Sequence, residues 1–273
     1  MTAANRSGSE PQPSAPARAS TPERSGRAKP SEPEPSAPAR RVRAVAHRGD
    51  PYRVRENTLA SLRSALRRGA DAVEVDVRLT RDGVPVLLHD ATLERLWRHE
   101  RPIAALSRDE VRGLTGDGVP TLADALAATE GHRVLIDLPG SPDLRSVRRI
   151  VDVVGACDAR DRVYYCAGAA TMLTLRAADP SAEIALTRTT AAPPRPALVE
   201  AIRPRWLNYR FGLVDRALAD RVHADGLLLS AWTPDTRRAM RRLIALGVDS
   251  VTTNRVDVLC ALRDARGRPR RRR

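Results

Sequence analysis

The chain has 273 residues, enough for one large domain or two small ones. Hydrophobic residues make up 42% but aromatics only 3%, so any core is built from Ala, Val, Leu and Ile. The same scarcity removes the stacking platforms on which single-stranded nucleic acids are bound. The net charge of +14 is carried almost wholly by arginine, with Lys29 the only lysine. That skew, shared with Ala and Pro, reflects codon composition and is no argument for a nucleic-acid partner.

Residues 1–40 are dense in Pro, Ser, Ala, Glu and Arg, and lack the apolar surface that would offset the entropy of ordering them. They are expected to be disordered. Residues 41–264 form the expected folded domain, and 265–273 an arginine-rich disordered tail capable of weak contact with anionic lipid. No stretch approaches the ~20 apolar residues of a membrane span. The N-terminus has no apolar signal core, and the apolar stretch after Arg40-Arg41 is broken, which argues against a twin-arginine signal. A cytoplasmic location is the expectation. Cys157, Cys166 and Cys260 are widely spaced and fit reduced, buried small hydrophobes.

In chain order, β-rich runs fall at 42–46, 72–77, 84–88, 133–138, 162–166, 183–186, 206–209, 227–231 and 250–253. Helical patterns fill most gaps, at 58–68, 108–113, 122–129, 144–154, 169–177, 215–224, 234–245 and 256–264. Repeated βα units predict a parallel sheet, and no G-x-G-x-x-G follows the first strand, so the dinucleotide-binding version has no support. One link is too short. Residues 78–83 cannot span a parallel crossover, which needs about a dozen residues, and Asp82-Gly83 suits a hairpin turn. A turn symmetric about that dipeptide would set Asp76 opposite His89. Eight parallel strands plus one hairpin strand predict a single (β/α)8 TIM-type barrel, with its active site where strands end and βα loops begin.

Chemistry-bearing residues gather at those ends. His47, Arg48 and Gly49 close the first strand, and Glu56-Asn57-Thr58 lies before the first helix. Glu74 and Asp76 share one face of the second strand; His89 ends the third and Asp137 the fourth. Taken singly, each has a plain structural reading: a hydrogen-bonded histidine, a solvated acidic face, a helix cap. Taken jointly, carboxylates turned into a barrel need a hard cation, Mg²⁺ or Ca²⁺, since no Cys/His cluster of zinc spacing exists. A cation beside Arg48 suits a phosphate, and two histidines can serve as acid and base. His99, His132 and His223 lie in polar loop or helix contexts and are read as structural.

At these residues the chain resembles the glycerophosphodiester phosphodiesterases. The resemblance is carried by Ala46-His47-Arg48-Gly49, by Glu56-Asn57-Thr58 and by the run from Gly69 to Val77 containing Glu74 and Asp76. It continues through Thr80-Arg81-Asp82-Gly83, Val86-Leu87-Leu88-His89-Asp90, the Pro120-Thr121-Leu122 segment with Ala125-Leu126, Ala231-Trp232-Thr233, and the run from Gly247 to Thr253. It implies that His47 and His89 are the acid and base, and that Glu74, Asp76 and Asp137 hold one divalent cation with Glu56 at or beside it. It further implies that Arg48 contacts phosphate and that Trp232 lines the substrate pocket. The implied reaction converts a glycerophosphodiester to glycerol 3-phosphate and an alcohol, the glycerol hydroxyl attacking phosphorus and a cyclic phosphate opening with water. Asp137 stands where a Glu is usual, Pro139 where a Lys is usual, and Arg55 where a Pro is usual. Asn254 and Arg255 replace the common Asp and Pro. Two other readings are a phospholipase-type barrel that releases a cyclic phosphate from a lysolipid and a non-catalytic phosphate-binding relative. Retention of both histidines argues against the latter.

Overall fold

A computed structural model of the chain describes residues 41–267. The disorder expected of 1–40 and the lipid contact expected of the last residues therefore fall outside the described residues. β1 (Arg43–Ala46) leads by a loop into α1 (Leu59–Arg67), and β2 (Ala72–Leu79) turns straight back as β3 (Pro85–Leu87). A small excursion follows: β4 (Thr92–Leu93), α2 (Glu94–Trp97), β5 (His99–Pro102) and α3 (Arg108–Thr115). After α4 (Leu122–Ala128) come β6 (Arg133–Asp137), α5 (Leu144–Ala156), β7 (Val163–Ala167), α6 (Ala169–Ala178) and β8 (Ile184–Arg188). The chain closes with α7 (Pro196–Ile202), β9 (Trp206–Arg210), α8 (Arg216–Ala224), β10 (Leu228–Trp232), α9 (Arg237–Leu246), β11 (Ser250–Thr253) and α10 (Val256–Gly267).

β1, β2, β6, β7, β8, β9, β10 and β11 pair in parallel in that order, and β11 pairs back onto β1. The barrel is closed, as expected. Its main core lies outside the strand ring: Val73, Val75 and Val77 of β2, with Val134 and Ile136 of β6, meet buried helix residues such as Leu62, Leu126 and Val147. The opposite strand face lines the barrel interior, where Val45, Leu135, Tyr164 and Trp206 form a plug. Strand alternation thus fixes which residues can reach the mouth: Glu74 and Asp76 turn inward because their valine neighbours turn outward.

The hairpin after β2 forms, but its register differs from expectation. The loop holds three residues, Arg81, Asp82 and Gly83, with Gly83 at φ +77 and its N–H donating to the Thr80 carbonyl at 2.9 Å. Val77 pairs with Leu87, and the Leu88 N–H donates to the Asp76 carbonyl at 3.0 Å. The extra loop residue, a left-handed glycine after a type I-like turn, slips the pairing by one. Leu88, not His89, therefore opposes Asp76. It packs in a satellite cluster with Val86, Leu93, Leu106 and Val111, and His89 emerges beyond the strand.

Three further differences concern helices. The four-residue α2 was not expected from the sequence pattern. α7 was not announced by the sequence pattern, because a proline-rich approach reads as loop; Pro196 occupies the first turn, where its missing N–H costs nothing. α10 reaches Gly267, past the boundary at 264. Among the described residues no helix is long and apolar enough to cross a membrane. The three cysteines are free, with Cys166 and Cys260 buried.

Candidate active site

The loop after β1 makes the first wall of the site. The His47 N–H donates to the Thr253 carbonyl at 3.0 Å, which anchors the strand end to β11. Arg48 and Gly49 then take left-handed backbone angles, φ +56 and +89, which bend the chain over the barrel mouth. Gly49 has to be glycine: a Cβ there would lie 2.3 Å from Ser61 Oγ and 2.7 Å from the Ser61 carbonyl carbon. α1 packs that closely because Ser61 Oγ donates back to the Arg48 carbonyl. Thr58 caps α1, accepting from the Ser61 N–H. Asn57 is left free to adopt φ +53 and donate its side-chain amide to Asp76 Oδ2 at 2.8 Å.

Inside the mouth, Glu74, Asp76 and Asp137 bring carboxylate oxygens within 4.8 Å of one another. Parallel pairing explains the proximity: Asp76 on β2 is in register with Asp137 on β6. Glu74 and Asp76 are 3% and 1% exposed. Burial, then Asp76 and Asp137, push the Glu74 carboxyl well above the usual range. Burial, then Asp76, push Asp137 up to about 6. Asp137 also accepts from Cys166 Sγ at 3.4 Å, and burial followed by Asp137 keeps that thiol protonated.

The positive charge at the carboxylates comes chiefly from Arg48. Its backbone N–H donates to Glu74 Oε2 at 2.8 Å and its Nη1 to Glu56 Oε1 at 2.9 Å. Its Nε lies 3.0 Å from Asp76 Oδ2 as an ion-pair contact without hydrogen-bond alignment. Burial works against the guanidinium, but Asp76, Glu74 and Glu56 outweigh it and hold its pKa above the ordinary value. Glu56 stands outside the three-carboxylate group. It accepts from both Arg48 and Arg95, whose bonds outweigh burial and hold its carboxyl low.

Both histidines line the same cavity, of about 250 Å³, with Arg48, Glu74, Asp137 and Trp232. His47 Nδ1 lies 2.8 Å from Asn254 Oδ1, and the Asn254 side-chain amide donates to Asp235 Oδ2 at 2.7 Å. Asp235 thus fixes the amide so that its oxygen faces His47. The ring carries its proton on Nδ1 and leaves Nε2 basic. Burial, then Arg48, lower the His47 pKa from 6.5. His89 Nδ1 instead lies 2.7 Å from the Asp90 carboxylate. Trp232 has a buried indole N–H with no hydrogen-bond partner among the described residues.

All eight residues singled out from sequence lie at this end of the barrel. Asn57, Asp90, Arg95, Cys166 and Asn254 were not among them. Asn57 and Asp90 belong to quoted motifs, which is a usable signal; Asn254, 207 residues from its histidine, was marked only as a departure from a common Asp. The other histidines are structural: His223 pairs with Asp249 at 2.8 Å, His99 with the Leu114 carbonyl and His132 with the Glu130 carbonyl.

The donor set tests well for a hard divalent cation. Two buried carboxylates and one half-buried one repel one another, and the nearby positive charge still leaves Glu74 and Asp137 pushed upward.

Known proteins share both sequence and fold. A family model described as the glycerophosphoryl diester phosphodiesterase family matches residues 47–258. A Mycobacterium tuberculosis protein named probable glycerophosphodiester phosphodiesterase 2 is 32% identical over 244 residues, covering 82% of this chain and 91% of its own length. A glycerophosphodiester phosphodiesterase of Caldanaerobacter subterraneus is 26% identical over 245 residues, covering 80% and 96%. An Oleispira antarctica phosphodiesterase, solved with the product sn-glycerol-3-phosphate, superposes with a TM-score of 0.75 at 22% identity, covering 81% of this chain and 96% of its own. A Thermotoga maritima glycerophosphodiester phosphodiesterase gives 0.70 at 22%, covering 81% and 98%. These two structural likenesses bear on the barrel alone.

Proposed function

The chain belongs to the glycerophosphoryl diester phosphodiesterase family, and from that membership and the geometry of the mouth we propose that it hydrolyses glycerophosphodiesters to glycerol 3-phosphate and an alcohol. The observation that carries the reading is one cavity lined by two histidines, an arginine and two of three clustered carboxylates. A phosphate-binding module would need no pair of proton-transfer groups.

His47 is the base. Neutral near pH 7, with Nδ1–H held by Asn254, it presents Nε2 to take the proton of the attacking hydroxyl. His89 is the acid. Its Nδ1 is held by the Asp90 carboxylate, and it delivers a proton to the departing alkoxide oxygen. Glu74, Asp76 and Asp137 would hold one Mg²⁺ or Ca²⁺, with Glu56 beside them. A cation held there would supply positive charge for the phosphoryl oxygens and for the attacking hydroxyl. Arg48, beside those carboxylates, contacts the phosphoryl group, and Trp232 lines the pocket with its indole N–H unspent.

The test is release of glycerol 3-phosphate from glycerophosphocholine and related diesters, with and without EDTA, followed by phosphorus NMR. Metal-dependent release is expected. Absence of release from every headgroup would refute the hydrolase reading, and a cyclic phosphate as final product would shift the assignment to a lyase.

A further inference from the structure

Across the mouth runs a charged bridge that the proposed proton transfers do not use directly. Arg95, on α2, donates from Nη2 to Glu56 Oε1 at 2.7 Å and from Nε to Asp90 Oδ2 at 2.5 Å. The same Glu56 oxygen accepts from Arg48 Nη1, and the other Asp90 oxygen holds His89 Nδ1. One guanidinium therefore joins the β1–α1 loop to the His89 ring. A parallel contact reinforces the link: the Arg55 guanidinium stacks over Trp97 at 4.1 Å from the ring centre.

The placement of Arg95 is not a by-product of packing. α2 has four residues and no side-chain cap; Leu96 and Trp97 rest on the satellite cluster, but neither touches Arg95's two acceptors, so packing of the helix does not by itself aim the guanidinium. The two carboxylates do so, and the planar fork of arginine suits two acceptors at once. An ion pair this exposed, with the Arg95 side chain 47% accessible, contributes little to stability. Its consequence is positional. Asp90 fixes the rotation of His89 through Nδ1, so that the proton the acid delivers is the one on Nε2; without Arg95, Asp90 loses its second anchor and is free to turn away.

We propose that Arg95 is a positioning residue for His89, acting through Asp90, and that it clasps the β4–α2–β5 excursion to the β1–α1 loop. The inference rests on the reading of His89 as the acid, and it makes a distinctive charge prediction. Arg95 is a cation beside the carboxylates, so removing it lowers turnover without weakening divalent-cation binding.

The test uses the full chain with Arg95→Gln and Arg95→Lys. Turnover and KM are measured on glycerophosphocholine, Mg²⁺ binding by calorimetry, and the His89 imidazole by its proton NMR signal, assigned through its loss in His89→Gln. Arg95→Gln should lower kcat roughly tenfold or more, as for other supports of a catalytic group, with the larger part of the loss in kcat and not KM. Mg²⁺ affinity should hold or tighten, and the His89 signal should shift. Arg95→Lys should recover part of kcat, because an ammonium reaches one carboxylate at a time. A kcat within about twofold of wild type, parallel loss of kcat and Mg²⁺ affinity, or an unmoved His89 signal would each overturn the proposal. Should the wild type release no glycerol 3-phosphate, the hydrolase reading fails, while the imidazole signal still decides the role of Arg95.

Discussion

The two histidines face one cavity from regions built on different principles. His47 lies at the seam where β11 closes the barrel on β1, half-buried and paired with a neutral amide that Asp235 holds in place. His89 lies just beyond a hairpin strand outside the ring, 41% exposed and paired with a carboxylate that Arg95 holds in place. The difference teaches that the partner, more than the imidazole, sets the chemistry. A ring against an amide, its pKa lowered by burial and Arg48, fits the proposed base; a more exposed ring against a carboxylate fits the proposed acid.

The sharpest way to break that contrast is to change the leaving group. His47→Gln should lower kcat/KM by roughly 10²–10⁴ on any diester, the usual worth of a general base. His89→Gln should lose as much on glycerophosphocholine, yet recover most of it on a p-nitrophenyl diester, whose leaving group needs little protonation. Equal losses of both variants on both substrates would sink the division of roles.

A second, smaller effect concerns the carboxylates between the two regions. Asp137 is raised from 3.8 to about 6 in the cation-free protein, so a cation must displace its proton in acidic solution. Apparent Mg²⁺ affinity should climb by up to about tenfold per pH unit as pH rises toward 6, with proton release visible by calorimetry in buffers of different ionisation heat. The stability effect has the opposite sign. A raised carboxyl pKa favours the fold below its unfolded value and loses that contribution as pH climbs through the folded one. The cation-free protein should therefore lose melting temperature between about pH 4 and 6 from this group, and Asp137→Asn should flatten both trends. A cation affinity independent of pH in this window would contradict the assignment.

The smallest effect converts one partner into the other kind. Asn254→Asp gives His47 a carboxylate like that of His89, and the added negative charge favours the imidazolium. The acid limb of kcat/KM, expected below 6.5 in the wild type because burial and Arg48 lower the His47 pKa, should move up by about one pH unit. An unmoved limb would show that another group controls it.

Much of the fold was legible because strand alternation is a local property. Val73, Val75 and Val77 against Glu74 and Asp76 told which face of β2 turned inward, and the barrel put that face at the mouth. The short link at 78–83 announced a hairpin, but its register depended on whether the turn held two residues or three. A left-handed Gly83 decided that, and displaced His89 from Asp76 by one position. Asn254 entered the sequence reading only as a departure from a common residue; in the folded chain it is the partner of His47.

The sequence by itself determined the βα order, the inward carboxylates and the histidines at strand ends, because side-chain direction along a strand follows from neighbouring residues alone. Only the tertiary structure decided what each ring and carboxylate touches: Asn254 across the closing seam, Arg95 across 39 residues from Glu56, Cys166 beside Asp137. Those contacts join segments that have no local reason to meet. They exist because barrel closure and the excursion after β3 bring distant side chains within hydrogen-bond reach, and the pKa of each group follows from that company.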